Sequence, residues 1–205
     1  VYAREARRLE SFDRSVARMF DASLFVSAAE AAWFRDRLGE GGDRVTHVNN
    51  GVDAAYFDPG LHYESPYADG VQAVVFTGAM DYWANVDAVS WFSRHVWPKV
   101  LASVPSAVFH IVGSNPQGSV NSFALPCVVV TGRVPDVRPF LRHAAAVVAP
   151  MRIARGIQNK VLEGMAMARP VVVSSKGLEG IAAETGKEVL VADDAIVCVG
   201  CDCDS

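Results

Sequence analysis

The strongest constraint on the fold is a set of five short apolar runs in the later part of the chain: AVVFTG (73–78), AVFHIVG (107–113), CVVVTG (127–132), AAVVAP (145–150) and PVVVSS (170–175). The runs are continuous rather than alternating, as expected for strands buried on both faces. Stretches of helical period separate them. The clearest is Asn85 to Leu101, with Val86, Val89, Phe92, Val96 and Val100 along one stripe; shorter helices are expected near Asp136–His143 and Gly156–Ala168. Strands alternating with helices imply right-handed crossovers and an α/β architecture with a doubly wound parallel sheet. Ligands of such sheets sit beyond the carboxyl ends of the strands. Three of the five runs end there in glycine (Gly78, Gly113, Gly132), where a missing side chain lets backbone amides approach a ligand.

The earlier part of the chain is organised differently. Tyr2–Phe20 reads as a charged helix and SLFVS (23–27) as a short strand. Ala28–Leu38 reads as a helix capped by Ser27 and stopped by Gly39, Gly41 and Gly42, and RVTHV (44–48) as a strand ending in the Asn49-Asn50-Gly51 turn. A polar linker with Pro and Gly, Asp58–Gly70, leads into the regular strand-helix pattern. A length of 205 residues suits one good-sized domain, or one domain plus part of another.

Composition narrows the function. The chain is 51% hydrophobic and 20% charged, so it can bury a core, and disorder is excluded. Nineteen basic against 23 acidic residues, net −4, argue against a sequence-independent nucleic-acid binder. The longest stretch without Asp, Glu, Lys or Arg, Val100–Gly132, is broken by Pro105, Pro116 and Pro126 and cannot span a bilayer as a lipid-facing helix. The four cysteines make no disulfide framework. Cys127 is expected to be a buried thiol, while Cys198, Cys201 and Cys203 crowd the end without a fourth ligand at zinc spacing, so no metal site is expected. His110 and His143 are expected to be hydrogen-bonded structural residues.

Familiar catalytic and cofactor motifs are missing. No G-x-G-x-x-G follows a strand, and GSNPQG (113–118) is followed by Ser119 where a phosphate-binding lysine would be needed. G-x-S-x-G and H-E-x-x-H are absent. The informative segment is RGIQNKVLEGMAMARPVV (155–172). A helix starting at Gly156 would align Gly156, Lys160 and Glu163 on one face. Free N–H groups at its start would meet an anion, Lys160 would add a point charge for phosphate, and Glu163 could accept from ribose hydroxyls. That row reads as a nucleoside-diphosphate site. The plain alternative is an exposed i,i+3 ion pair of about 0.2–0.5 kcal/mol; its place after a strand at the ligand edge favours the site.

At this point the residues resemble a known family. VSAAEAAWF (26–34), VNNGVDAAYFDP (48–59), VVFTGAMDYWANVDAV, FHIVGSNP, VTGRVPDVRPFL and GIQNKVLEGMAMARPVV occur in the order and spacing of the nucleotide-sugar-binding half of family 4 glycosyltransferases, which have the GT-B fold. The wording of AMDYWANVDA and GIQNKVLE is similar to transferases of exosortase (PEP-CTERM)-associated exopolysaccharide systems. The resemblance implies a Rossmann-like donor domain binding a nucleoside-diphosphate sugar, with no cofactor and no required metal. It places Gly78 and Ala79 near the diphosphate and Gly132, Arg133 and Val134 near the base. Gly156, Ile157 and Lys160 would hold the phosphates, Glu163 the ribose, with Arg155 and Glu163 orienting the donor. Three positions depart from the family pattern: Arg155 replaces the first Glu of its Glu-(seven residues)-Glu motif, Met80 and Asn85 stand where many members carry Arg and Lys, and Asn49 replaces a Pro.

The same resemblance divides the chain into a remnant of the acceptor domain (1–49), a donor domain (50–194) and an atypical tail (195–205). Two complete domains need roughly 300–400 residues, so the chain is expected to be a fragment, inactive alone, with the catalytic base in the missing domain. The expected reaction is retaining hexosyl transfer to a glycan or lipid-linked acceptor in bacterial polysaccharide synthesis, in the cytoplasm, with peripheral inner-membrane contact through the missing domain. The alternatives are a non-catalytic nucleotide-binding or regulatory module, a GT-B-related epimerase, and a purely structural α/β domain.

Overall fold

A computed structural model describes residues 2–115, 127–154 and 156–194. The chain divides after Asn50 into two compact units.

In the first unit, helix α1 (Tyr2–Met19) is followed by strand β1 (Ser23–Phe25), helix α2 (Ala28–Leu38) and strand β2 (Val45–His47), which pairs in parallel with β1. Helix α2 starts where the sequence places it: the Ser27 hydroxyl accepts the Glu30 amide at 3.2 Å, satisfying one of the free N–H groups of the first turn. Gly39 ends it with φ 68°, a conformation that favours glycine. Ala17, Ala31, Phe34, Leu38 and Val45 form a small core, joined by Phe25, whose ring lies 5.0 Å from that of Phe34.

The second unit is built on a six-stranded sheet of β3 (Gln72–Thr77), β4 (Ala107–Val112), β5 (Val128–Gly132), β6 (Ala146–Ala149), β7 (Val171–Val173) and β8 (Leu190–Val191). Its order is β5-β4-β3-β6-β7-β8, and every neighbouring pair is parallel. The chain runs outward from β3 through β4 to β5, then returns to the other side of β3 as β6. The carboxyl end of β3 is therefore the switch point at which connections diverge, where doubly wound sheets bind ligands. The expected fold class holds, and β8 adds a strand that its brief apolar signal did not announce.

The valine runs are not equally buried. The central strands β3 and β4 put Val75, Phe76, Phe109 and Ile111 out of contact with solvent. On β5, an edge strand, Val129 is 41% exposed. Cys127, expected to be buried, is exposed with φ 62°. It occupies the turn into β5, and its carbonyl accepts the Phe109 amide at 2.8 Å; the backbone bond, not the thiol, is what the strand uses.

The long helix expected over 85–101 is α3 (Trp83–Trp91), a π turn (Phe92–Val96) and α4 (Trp97–Ser103). The extra residue of a π turn rotates the later half of the helix, so that Trp97, outside the predicted stripe, becomes fully buried with Phe92 and Phe109 at ring distances of 6.3 and 5.5 Å. Helix α5 (Arg138–Arg142) precedes β6, α6 (Asn159–Ala166) precedes β7, and α7 (Ser175–Leu178) follows it. Helix α6 lies very close to the sheet: a Cβ on Gly164 would stand 3.0 Å from Val171 and 3.2 Å from Val147.

The segment read as a linker, Asp58–Gly70, carries no regular element but is tied to the second unit. Arg142 donates to the Pro59 carbonyl at 3.0 Å, the His143 ring meets the Tyr63 carbonyl at 2.7 Å, and the Tyr67 hydroxyl donates to the Phe140 carbonyl at 2.7 Å. His143 is thus a hydrogen-bonded structural residue. His110 is buried against the Tyr67 ring, yet its Nδ1 has no hydrogen-bond partner among the described residues.

The aromatic cluster gives a stability test. Trp97→Ala is expected to cost about 3–5 kcal/mol in urea unfolding, the usual penalty for emptying a large core site. Trp83→Ala, at a position 58% exposed, is expected to stay within about 0.5 kcal/mol of the parent.

Candidate functional site

Beyond the carboxyl ends of β3, β4 and β5 the second unit encloses a cavity of about 530 Å³. The strand ends supply Thr77 and Gly78, Val112 to Ser114, and Arg133 to Val137. The segment leading into and along α6 supplies Ile157, Asn159, Lys160 and Glu163, and Tyr56 closes one end.

Backbone packing shapes this edge. A Cβ on Gly113 would stand 1.7 Å from the Gly78 carbonyl oxygen, so the two loops cross at a separation only glycine permits. The loops are then bonded together: Gly78 N–H to the Val112 carbonyl at 3.0 Å, Met80 N–H to the Ser114 carbonyl at 2.8 Å, and the Asn115 side chain to the Asp81 carboxylate at 2.8 Å. Next to them the β4–β5 ladder slips between Ile111 and Val112, pairing Val112 with Gly132. Such irregularities re-aim a chain at the rim of a sheet.

Lys160 is the principal charge in the cavity. Its ammonium donates to Gln158 Oε1 at 3.1 Å and to Asn85 Oδ1 at 3.3 Å, and lies 5.2 Å from the centre of the Phe76 ring. Asn85, buried at the start of α3, uses its other amide atom to donate to the Ala79 carbonyl at 2.9 Å. A Cβ on Gly78 would come within 2.7 Å of that same amide nitrogen. Gly78, Ala79, Asn85 and Lys160 therefore form one connected device. Met80, the other departure from the family pattern, is fully buried in the core and takes no part in it.

Burial lowers the Lys160 pKa to about 8, with the Glu163 carboxylate opposing the shift. Burial raises the Glu163 pKa, and Lys160 opposes that in turn. Among the described residues no side chain hydrogen-bonds the Glu163 carboxylate. The ammonium is thus poorly solvated, lacks a close carboxylate partner, and faces a cavity. An anion entering there would find a charge that Glu163 compensates only in part. Arg133, exposed on the cavity rim, also forms no ion pair or hydrogen bond among the described residues.

Of the residues proposed from the sequence, Gly78, Arg133, Val134, Ile157, Lys160 and Glu163 line this one cavity. Ala79 and Gly156 do not line it; Ala79 bounds it indirectly through Asn85. Arg155 and the tail from 195 onward, with its three cysteines, lie outside the described residues. One expectation is corrected. Helix α6 begins at Asn159, with Gln158 at its cap, so Gly156 does not open the helix or present its free amides. Gly156 instead adopts φ 68°, and Ile157 turns inward to 9% exposure before the helix can start. Burial of that isoleucine prevails over continuation of the helix. Sequence reasoning did not single out Thr77, Ser114, Asn159, Asp136 or Tyr56. The first two follow from the strand-end rule; Tyr56 had no local signal.

Among the described residues no group of three His, Cys, Asp or Glu side chains converges, and no helix is long and apolar enough to cross a membrane.

The switch-point cavity and six-stranded parallel sheet define a Rossmann-like domain of the kind that forms the C-terminal half of GT-B glycosyltransferases. The model of the family Glycosyl transferases group 1 matches residues 71–198, and the chain belongs to that family. No significant match is found among curated protein sequences. Solved structures with the same fold include Anabaena HepE in complex with UDP and glucose, at 15% identity and TM-score 0.66, covering 93% of this chain and 56% of that one. TarM matches at 15% identity and TM-score 0.70, covering 92% and 36%. Sucrose-phosphate synthase from Thermosynechococcus elongatus matches at 18% identity and TM-score 0.67, covering 93% and 50%. This chain thus spans about half or less of the length of these proteins, and at such identities the likeness is one of fold.

The buried ammonium makes a testable claim on stability. Replacing it by an apolar side chain of similar length, Lys160→Met, is expected to leave thermal stability unchanged or raise it at pH 7, because a poorly compensated buried charge costs folding energy. Between pH about 8 and 10.5 the unfolded chain still holds the lysine proton while the folded protein has released it. The parent protein should therefore gain stability relative to Lys160→Met as pH rises through that window. Urea titrations of both proteins at pH 7, 8.5 and 10 measure it.

Proposed function

We propose that the second unit binds the nucleoside-diphosphate sugar of a glycosyltransferase reaction. The observation that carries this reading is the Lys160 ammonium: desolvated, held toward the cavity by Asn85 and Gln158, and left without a close counter-charge beside glycine-rich strand ends. A diphosphate supplies a charged hydrogen-bond acceptor for that ammonium. Gly78 lies beside the diphosphate, and Ile157 packs near it. Glu163, one turn further along α6, accepts from the ribose hydroxyls. Arg133 and Val134 meet the base at the β5 edge. Arg155 orients the donor, as the sequence resemblance implies, and Ala79 acts through its carbonyl on Asn85. Anabaena HepE was solved with UDP and with UDP-glucose, which supports this class of ligand.

The finer assignment follows the sequence resemblance to family 4 and to exosortase-associated exopolysaccharide enzymes. It is a retaining hexosyl transfer to a glycan or lipid-linked acceptor in bacterial polysaccharide synthesis, without a required metal or cofactor. Sugar-nucleotide supply places such a reaction in the cytoplasm, with peripheral contact at the inner membrane.

Titration calorimetry with UDP, GDP and dTDP tests the site. At least one nucleotide should bind at pH 7, and Lys160→Ala and Glu163→Ala should each weaken it by more than tenfold, about 1.4 kcal/mol. Binding an anion raises the pKa of its ammonium partner, so affinity should fall as pH rises above about 8. No binding to any of the three leaves a structural domain without a donor site, and binding indifferent to Lys160 removes this cavity as its place.

A further inference from the structure

The cavity has two chemically distinct ends. One is polar and cationic, where Lys160 and Gly78 meet at the end of β3. The other lies at the β5 edge, where the strand order places the Arg133–Val137 loop and where Tyr56 forms part of the wall.

Tyr56 is 44% exposed, yet it is held firmly. Its backbone is fixed by an amide bond to Asp53 Oδ1 at 3.0 Å and by the Arg138 guanidinium, which donates to its carbonyl at 3.2 Å. That guanidinium also lies 3.8 Å from the centre of the Tyr56 ring. Arg138 is itself clamped by Asp136, which accepts from its Nε at 2.9 Å and its Nη2 at 2.7 Å and caps its backbone amide at 2.9 Å. That carboxylate's pKa is held below the ordinary range by the same guanidinium. Five hydrogen bonds and a cation–π contact thus hold a tyrosine that stays 44% exposed and lines the cavity. A core aromatic would be buried, and an incidental surface tyrosine would not be fixed at both backbone and ring.

Building on the donor-site reading, we infer that Tyr56 supplies the aromatic contact to the nucleobase of the bound nucleoside diphosphate, with the Asp136–Arg138 pair positioning it. A base needs a flat apolar partner that excludes water, and stacking of this kind works for any base because each has a π face. A diphosphate held at Lys160 projects its nucleoside along the strand ends toward β5, and Tyr56 is the aromatic side chain lining that end of the cavity. The arrangement separates two tasks: Lys160 binds charge whatever the nucleoside, and Tyr56 makes the site prefer a nucleotide to a bare anion.

The test compares, by calorimetry on the full chain, the tightest-binding nucleoside diphosphate among UDP, GDP, dTDP and ADP with inorganic pyrophosphate. Tyr56→Ala should weaken the nucleotide about tenfold and leave pyrophosphate within twofold. Tyr56→Phe should keep the nucleotide within about twofold, and Arg138→Met should weaken the nucleotide selectively, as Tyr56→Ala does. Thermal unfolding of each variant confirms that it is folded. Equal losses for both ligands in Tyr56→Ala would mean that Tyr56 only supports the cavity wall, and no loss for either would mean that the base lies elsewhere; each overturns the inference and leaves the donor site standing. Failure of the parent protein to bind any of the four nucleotides would overturn the donor-site reading itself.

Discussion

Everything at the ligand edge depends on one backbone crossing. Gly113 passes the Gly78 carbonyl so closely that any side chain would overlap it, and that approach lets the loops after β3 and β4 lie flat against each other and bond through Met80 and Ser114. Separate those loops by the width of a methyl group and Ala79 moves away from Asn85, Asn85 from Lys160. The position of the Lys160 ammonium is therefore set by backbone contact between β3 and β4. Parallel sheets suit this role because both faces are covered and strand ends cannot drift.

The electrostatics follow from the same geometry. An exposed lysine beside a glutamate would be a surface pair worth little. Here the helix places both groups where burial moves their pKa values in opposite directions, each toward its neutral form. Such a pair is a poor stabilising element and a good receptor, because an arriving anion relieves a cost that folding has imposed. Another cation in the region, Arg138, is treated in the opposite way. It is saturated by Asp136 and turned into a support for Tyr56. Lys160 and Arg138 thus have different uses, decided by whether a carboxylate has already claimed them.

The parts legible in the sequence are those governed by local rules. The Ser27 cap, the Gly39 stop and the strand–helix alternation each announce themselves within a few residues, and the strand-end rule found Gly78, Gly113 and Gly132. The spacing that puts Lys160 and Glu163 on one helix face holds because both lie inside α6. The start of that helix was misplaced because it is settled by burial of Ile157, a tertiary event. The π turn at Phe92–Val96 was invisible because Val86, Val89 and Phe92 fit an ordinary helix until one extra residue rotates Trp97 inward. Tyr56 lies 82 residues from Arg138 in sequence, and nothing near it signals their contact.

Gly164 looks at first like an unremarkable small residue inside a helix. It lies one turn after Lys160 on the face that meets β6 and β7, where even a Cβ would press on Val147 and Val171. Its absent side chain acts as a spacer, setting how high the lysine stands above the strand ends. Tolerance to change in this domain is therefore set partly by a ruler hidden beneath the helix: a larger residue there would alter no charge, yet would lift the Lys160 ammonium away from Asn85.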